Sequence, residues 1–143
     1  MKKVSLLILL AVFITPAYAQ TAADTLAITQ AALDYIEGWY EGNGERMARA
    51  VHPELAKRIV RTNAEGRSSL GQMSAMTLVE ATKTGYGAQT PANEQQKDVT
   101  ILDIYQNAAS VKLVARDFVD YLHVGKYNGE WRIVNVLWEM KPR

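Results

Sequence analysis

Apolar residues recur at helical spacing in the stretch Ala22 to Glu41, where they cover about half of a helical wheel and the acidic side chains gather opposite them. So wide an apolar arc predicts a helix packed against more than one surface. Gly42-Asn43-Gly44 ends this helix and offers Asn43 as the cap of the next one. The pattern predicts a short second helix over residues 45–51, which His52-Pro53 stops.

The middle of the chain has weaker periodicity. Residues 55–61 mix β-branched and basic side chains and predict a short strand, with a turn over residues 62–67. Ser69 and Gln72 have the spacing of a capping box, which predicts a third helix that runs to about Lys83. Residues 85–97 are polar and contain Pro91, and they indicate a surface loop.

After this loop the period changes to the two-residue alternation of strands. Residues 99–104 predict one strand, residues 110–126 one long strand, and residues 131–140 another. Asn128-Gly129 is typical of a tight hairpin turn, because both of its positions require positive φ. Helices followed by a meander of strands predict a single α+β domain over residues 20–143.

Both long strands have apolar side chains on two faces. In the last strand, the predicted faces consist of Ile133 and Leu137 on one side and Val134, Val136 and Trp138 on the other. A strand that is apolar on both faces needs cover on both. Helices can cover one face, and we expect a second subunit to cover the other, giving a homodimer through the sheet. The alternative is a sheet that curls tightly enough to cover itself.

The first 19 residues have the composition of an export signal. Lys2-Lys3 precedes an apolar run over residues 4–14, and Ala17-Tyr18-Ala19 has the small residues that a signal peptidase requires. The run is shorter than the roughly 20 residues that span a bilayer. We therefore expect cleavage after Ala19 and a periplasmic or secreted domain that has no contact with the membrane.

The composition of the chain limits the kinds of functional site that it can form. The chain has no cysteine, which excludes thiol nucleophiles and thiolate metal sites. Loss of Lys2 and Lys3 would change the formal net charge from +1 to −1, and no basic block remains, so we expect no nucleic-acid binding. Because His52 and His123 are the only histidines, we expect no metal site, and we expect no cofactor.

Two segments resemble the putative lumazine-binding family of the NTF2-like (nuclear transport factor 2-like) superfamily, which includes ketosteroid isomerases and SnoaL-like cyclases. Residues 31–40 with residues 44–47 are similar to the start of the family, and His52-Pro53 stands where it has its His-Pro. Asp120-Tyr121-Leu122, with residues 129–135 and Trp138, resembles its ending.

The resemblance spans roughly residues 25–139, departs from the family at Asn43 and Val136, and is loose over residues 57–97. It implies an NTF2-like cone, in which N-terminal helices pack into a strongly curved antiparallel sheet. It also implies a pocket at the wide end and a dimer.

Candidate catalytic residues cluster in sequence near the end of the long strand. Asp120 or His123 could act as a general base if a pocket shifts its pKa. Tyr121 and Asn135 could donate hydrogen bonds to an oxyanion. His52 belongs to the same candidate set, as a side chain that can exchange protons. The alternatives are an ion pair with an arginine on a neighbouring strand for Asp120, a packed ring for Tyr121, capping or a backbone hydrogen bond for His52, and simple exposure for His123.

We expect a pocket in which aromatic side chains stack on a flat heterocycle. The predicted pocket residues are Tyr35, Trp39, His52, Met76, Tyr121, Asn135 and Trp138. The alternative for Tyr35, Trp39 and Trp138 is a place in the core or in a dimer interface.

The leading hypothesis is an exported, non-catalytic domain that binds a small molecule. An enzyme of isomerase, dehydratase or cyclase type is one alternative, and it requires Asp120 to point into a cavity. A protein-interaction or accessory module is another, and it predicts that the domain's own side chains fill the cavity.

Overall fold

The structure is a computed structural model that describes residues 21–142. It contains three α-helices, α1 (Ala22–Glu41), α2 (Gly44–Ala50) and α3 (Ala75–Lys83). The described strands are β1 (Val51–Thr62), β2 (Ser68–Ser74), β3 (Lys97–Tyr105), β4 (Ala108–Ala115), β5 (Phe118–Tyr127) and β6 (Glu130–Met140). Two single 3₁₀ turns, Gly87–Gln89 and Ala92–Glu94, join α3 to β3. The predicted export signal lies outside the described residues, and within them no helix is long and apolar enough to cross a membrane.

Side-chain caps define where the helices begin. Thr21 and Asp24 form a reciprocal capping box at the start of α1, and the Asn43 side chain caps α2 as predicted. Ser74, which accepts a hydrogen bond from the Thr77 N–H, caps α3. The prediction that the third helix starts at Ser69 is therefore wrong, because residues 68–74 instead pair with β1 as an edge strand.

The six strands form one curved, open sheet in the order β2-β1-β6-β5-β4-β3, and the helices pack on its concave face. Four of the five pairings are antiparallel, as predicted, whereas β1 and β6 run parallel and place Lys57 beside Val136. The α+β class with helices packed into a curved sheet is confirmed. The parallel pairing joins the two halves of the sheet.

Two turns determine how the C-terminal strands are divided. Asn128 (φ 50°) and Gly129 (φ 85°) both adopt positive φ, which confirms the hairpin predicted between β5 and β6. The single long strand predicted over residues 110–126 is wrong, because the chain reverses at Arg116-Asp117 and forms β4 and β5 as a second hairpin.

A β-bulge changes the alternation of β6. His123 pairs with Asn135 whereas Val124 pairs with Ile133, so Val134 is the additional residue. Ile133 and Val136 are consequently both buried on the concave face, and Val134 is exposed on the convex face. The predicted division of β6 into faces is wrong for this reason.

Candidate functional site

A cavity of about 470 Å³ lies between the helices and the concave face of the sheet. It is partly open to solvent and is lined mainly by aromatic side chains, methionines and a leucine, namely Tyr35, Trp39, Met47, Met73, Leu78, Tyr86, Phe118, Trp138 and Met140. This size and composition are typical of small-molecule sites.

One wall of the cavity depends on a close approach between α1 and the first 3₁₀ turn. A Cβ atom on Gly87 would lie 2.4 Å from the Trp39 carbonyl oxygen and 2.6 Å from its indole nitrogen, so only glycine fits there. The approach also brings the Tyr86 ring to 6.2 Å from the Trp39 ring, measured between centroids. Trp39 and Tyr86 thus form a continuous aromatic surface.

A buried ion pair lies at the inner end of the cavity. The Lys57 ammonium donates hydrogen bonds to Asp120 Oδ1 (3.0 Å) and to the Tyr35 hydroxyl oxygen (2.7 Å). Asp120 is fully buried, and Lys57, which lines the cavity, is only 6% exposed. The ammonium also lies 4.6 Å from the centre of the Trp138 ring, a distance at which cation–π attraction stabilises the charge.

Burial shifts the pKa values of Lys57 and Tyr35 in opposite directions. It lowers the pKa of Lys57, and the neighbouring charge of Asp120 offsets part of that effect. It raises the pKa of Tyr35 well above its usual value, and Asp120 raises it further. Tyr35 is therefore a neutral hydroxyl at physiological pH. Within the described residues, Asp120 Oδ2 has no hydrogen-bond partner.

The β4–β5 turn forms the rim. Arg116 and Asp117 line the cavity there, and the Arg116 guanidinium pairs with Glu94 at 2.8 Å. The buried Tyr40 fixes this turn, because its hydroxyl accepts from the Arg116 backbone N–H and donates to the Gln96 carbonyl, each at 3.0 Å. The charged rim is thus held in place by α1.

The structure brings some of the predicted site residues together. Tyr35, Trp39 and Trp138 line the cavity, and the carboxylate of Asp120 faces inward against Lys57. Asp120 does form an ion pair, as in the alternative, but the partner is Lys57 on β1 and not an arginine on a neighbouring strand.

Other predicted residues lie outside the cavity. Tyr121 and His123 alternate with the inward-facing Asp120 along β5, so both point to the convex face, where Tyr121 is 47% exposed. Asn135 lies beside His123 on that face and accepts a hydrogen bond from Arg58 at 3.0 Å. Their predicted places in the pocket, and the use of His123 as a base within it, are wrong.

His52 and Met76 are also placed elsewhere. The His52 ring packs edge-on against Tyr127, and its Nδ1 accepts a hydrogen bond from the Glu54 backbone N–H. Met76 is 75% exposed, because it lies on the side of α3 that faces away from the sheet. The prediction that these two residues line the pocket is wrong.

Sequence reasoning missed Lys57. The available signal was its spacing, because Leu55, Lys57 and Ile59 alternate with more exposed residues and all three are buried. Within residues 21–142, no group of three histidine or acidic side chains comes together as metal ligands.

A model of the family described as putative lumazine-binding matches residues 23–139. The structure is similar to an NTF2-like protein of unknown function from Shewanella baltica OS155 (19% identity, TM-score 0.68), with 87% of this chain and 99% of that chain covered. A second NTF2-like protein of unknown function, from Methylobacillus flagellatus KT, gives 20% identity and a TM-score of 0.66, covering 87% of this chain and 97% of its own.

A putative Ca/calmodulin-dependent kinase II association domain from Exiguobacterium sibiricum 255-15 is 13% identical, with a TM-score of 0.58 over 87% of this chain and 98% of that one. At these identities the likeness shows the fold alone. No curated protein matches the chain. Because the family model covers most of the chain, the protein belongs to the putative lumazine-binding family and has the NTF2-like fold.

Proposed function

We propose that this protein is an exported domain that binds a small, flat, mostly apolar molecule in its cavity without converting it. The observation that carries the proposal is the cavity itself, which has about 470 Å³ of space and a lining with five aromatic side chains and three methionines. Aromatic faces stack on flat rings, and methionine adapts to irregular shapes. The name of the family makes a pteridine such as lumazine the first probe to test.

Two features favour binding over the alternatives. An open cavity of this size argues against an accessory module whose own side chains fill the cone. Neither residue that was predicted as a general base is free beside the ligand, because Asp120 is engaged by Lys57 and His123 lies on the opposite face of the sheet.

The proposal extends to a homodimer formed through the convex face. Tyr121, Val134 and Leu137 are between 37% and 48% exposed there, and they lie on the adjacent strands β5 and β6. Apolar groups that are clustered on a sheet face are typical of an interface.

A pair of variants on α3 tests the binding site. Ala81 lines the cavity, whereas Met76 faces solvent on the same helix. We expect lumazine to quench the tryptophan fluorescence of the wild type and of Met76→Phe, but much less that of Ala81→Phe, because the added ring takes up cavity space that the ligand needs. Equal quenching in all three proteins would contradict binding in this cavity.

Export is tested by fractionating the cells that produce the protein. We expect the periplasmic fraction to contain a protein whose mass corresponds to a chain starting at Gln20. Native mass spectrometry of that fraction is expected to show a bound small molecule. A full-length chain confined to the cytoplasm would refute the export part of the proposal.

A further inference from the structure

Among residues 21–142, the Lys57 ammonium uses two of its three hydrogen-bond donors. An ammonium has three N–H groups, of which one is directed to Asp120 Oδ1 and one to the Tyr35 hydroxyl oxygen. Lys57 belongs to the cavity lining, and its nitrogen lies over the ring of Trp138, which lines the cavity as well. The third N–H is therefore available at the inner end of the space that a ligand would occupy.

Each charged side chain at the cavity is paired. Lys57 pairs with Asp120 at the inner end. At the rim, Arg116 pairs with Glu94 at 2.8 Å and with Asp117 at 4.0 Å. A ligand with a full charge would have to lose its hydration without a free counter-charge, which is costly. A purely apolar ligand would leave the third N–H of Lys57 without a partner, which is also costly.

We infer that the ligand is a neutral, planar molecule with a carbonyl oxygen at its inner end. Lys57 donates a hydrogen bond to that oxygen. This inference rests on the proposed function. Asp120 and Tyr35 act as positioning residues, because they hold the ammonium in one orientation. The rings of Trp138 and Phe118, whose centroids are 6.1 Å apart, form the adjoining wall for the flat part of the molecule.

Two probes with the same bicyclic skeleton test the inference. 1-Tetralone has a carbonyl group, and tetralin lacks it. We expect ligand-observed NMR titration to show that the wild type binds 1-tetralone about tenfold more tightly than tetralin, the effect of one hydrogen bond to a charged donor. We expect 1-naphthoate, an anion of similar size, to bind more weakly than 1-tetralone.

The double variant Lys57→Met/Asp120→Leu removes both charges together. It is expected to bind the two probes equally, while Met73→Leu, a change elsewhere in the cavity lining, retains the preference. A preference that persists in the double variant would overturn the inference.

The wild-type comparison decides the question even where the double variant does not fold. Equal affinity for the two bicyclic probes, or tighter binding of 1-naphthoate, contradicts the inference and leaves the proposed function intact. Binding of none of the three probes would count against the proposed function itself.

Discussion

Lys57 and Asp120 place two opposite charges inside an otherwise apolar core. Removing charges from water costs several kcal/mol for each ion, and the attraction within the pair must offset that cost. Here the hydroxyl of Tyr35 and the ring of Trp138 add to the attraction. An apolar pair would fill the same space at a lower cost, which agrees with the proposed role of Lys57 as a hydrogen-bond donor to a ligand.

This arrangement predicts a non-additive effect on stability. Lys57→Met and Asp120→Leu are each expected to lower the free energy of unfolding by about 3 kcal/mol, because each leaves a buried charge unpaired. The double variant is expected to cost less than the sum of the two. Urea unfolding measures all three proteins, and Arg61→Met at the exposed end of β1 is the control. Strictly additive losses would show that the charges do not interact.

Single residues also show what the sequence could and could not reveal. The alternation along β5 indicates that Asp120 shares a face with Phe118 and Leu122, and that Tyr121 and His123 do not. That rule, applied to β1, places Lys57 inside. The contact between Lys57 and Asp120 was not predictable, because it joins positions 63 residues apart through the order of the strands.

Asp24 connects the start of α1 to the β5–β6 hairpin through hydrogen bonds. Its Oδ1 accepts hydrogen bonds from Lys126 Nζ and from the Trp131 indole N–H, both at 2.9 Å, while the carboxylate also caps the helix through Thr21. The hydrogen bond from Lys126 is the main cause that lowers the pKa of Asp24, followed by those from Trp131 and Thr21.

A pH-dependent stability follows from this pKa. The unfolded chain protonates Asp24 near pH 4, whereas the folded protein keeps the carboxylate ionised to a lower pH. The stabilisation is therefore present at neutral pH and declines as the pH falls below about 4. We expect Asp24→Asn to be less stable than the wild type in urea at pH 7, with a smaller difference at pH 3.

The control for Asp24→Asn is Glu65→Gln, which removes a carboxylate from the exposed β1–β2 turn. We expect it to change stability little at either pH. A loss in Asp24→Asn that is the same at pH 3 and pH 7 would mean that the ionised carboxylate contributes nothing.

Among the elements, those with local signals were predicted. The hairpin at Asn128-Gly129 and the cap at Asn43 depend on a few adjacent residues, and both are present. Strand β2 was missed because its serines and glutamine also fit a helix start, and only pairing with β1 selects the strand. The turn at Arg116-Asp117 was missed because strand formers lie on both sides of it.

At the scale of the whole molecule, we predict a homodimer that forms through the convex face of the sheet. Leu137→Glu is expected to weaken dimerisation more than about tenfold, because the two copies would bring buried charges together. Leu26→Glu changes an exposed leucine on α1, away from the convex face; it is the control and is expected to remain a dimer. Analytical ultracentrifugation measures both. A wild type that is monomeric at every concentration would contradict the prediction.

The class of the fold and the presence of an aromatic cavity could be predicted, the first from the order of helices and strands and the second from the family resemblance. The strand order could not, because a parallel contact between β1 and β6 has no local signature. For the same reason the sequence did not indicate which charged side chains meet inside the cone.

The position of β6 has a consequence for the route to the native state. β6 lies between β1 and β5, so β1 and β2 cannot join the rest of the sheet until the segment up to Met140 is available. The β5–β6 hairpin can nucleate locally, but its docking onto β1 closes a long loop of chain, and such distant pairings slow folding. The order of synthesis and the order of assembly therefore differ, because β1 and β2 are made first but can join the rest of the sheet only after β6 has been made.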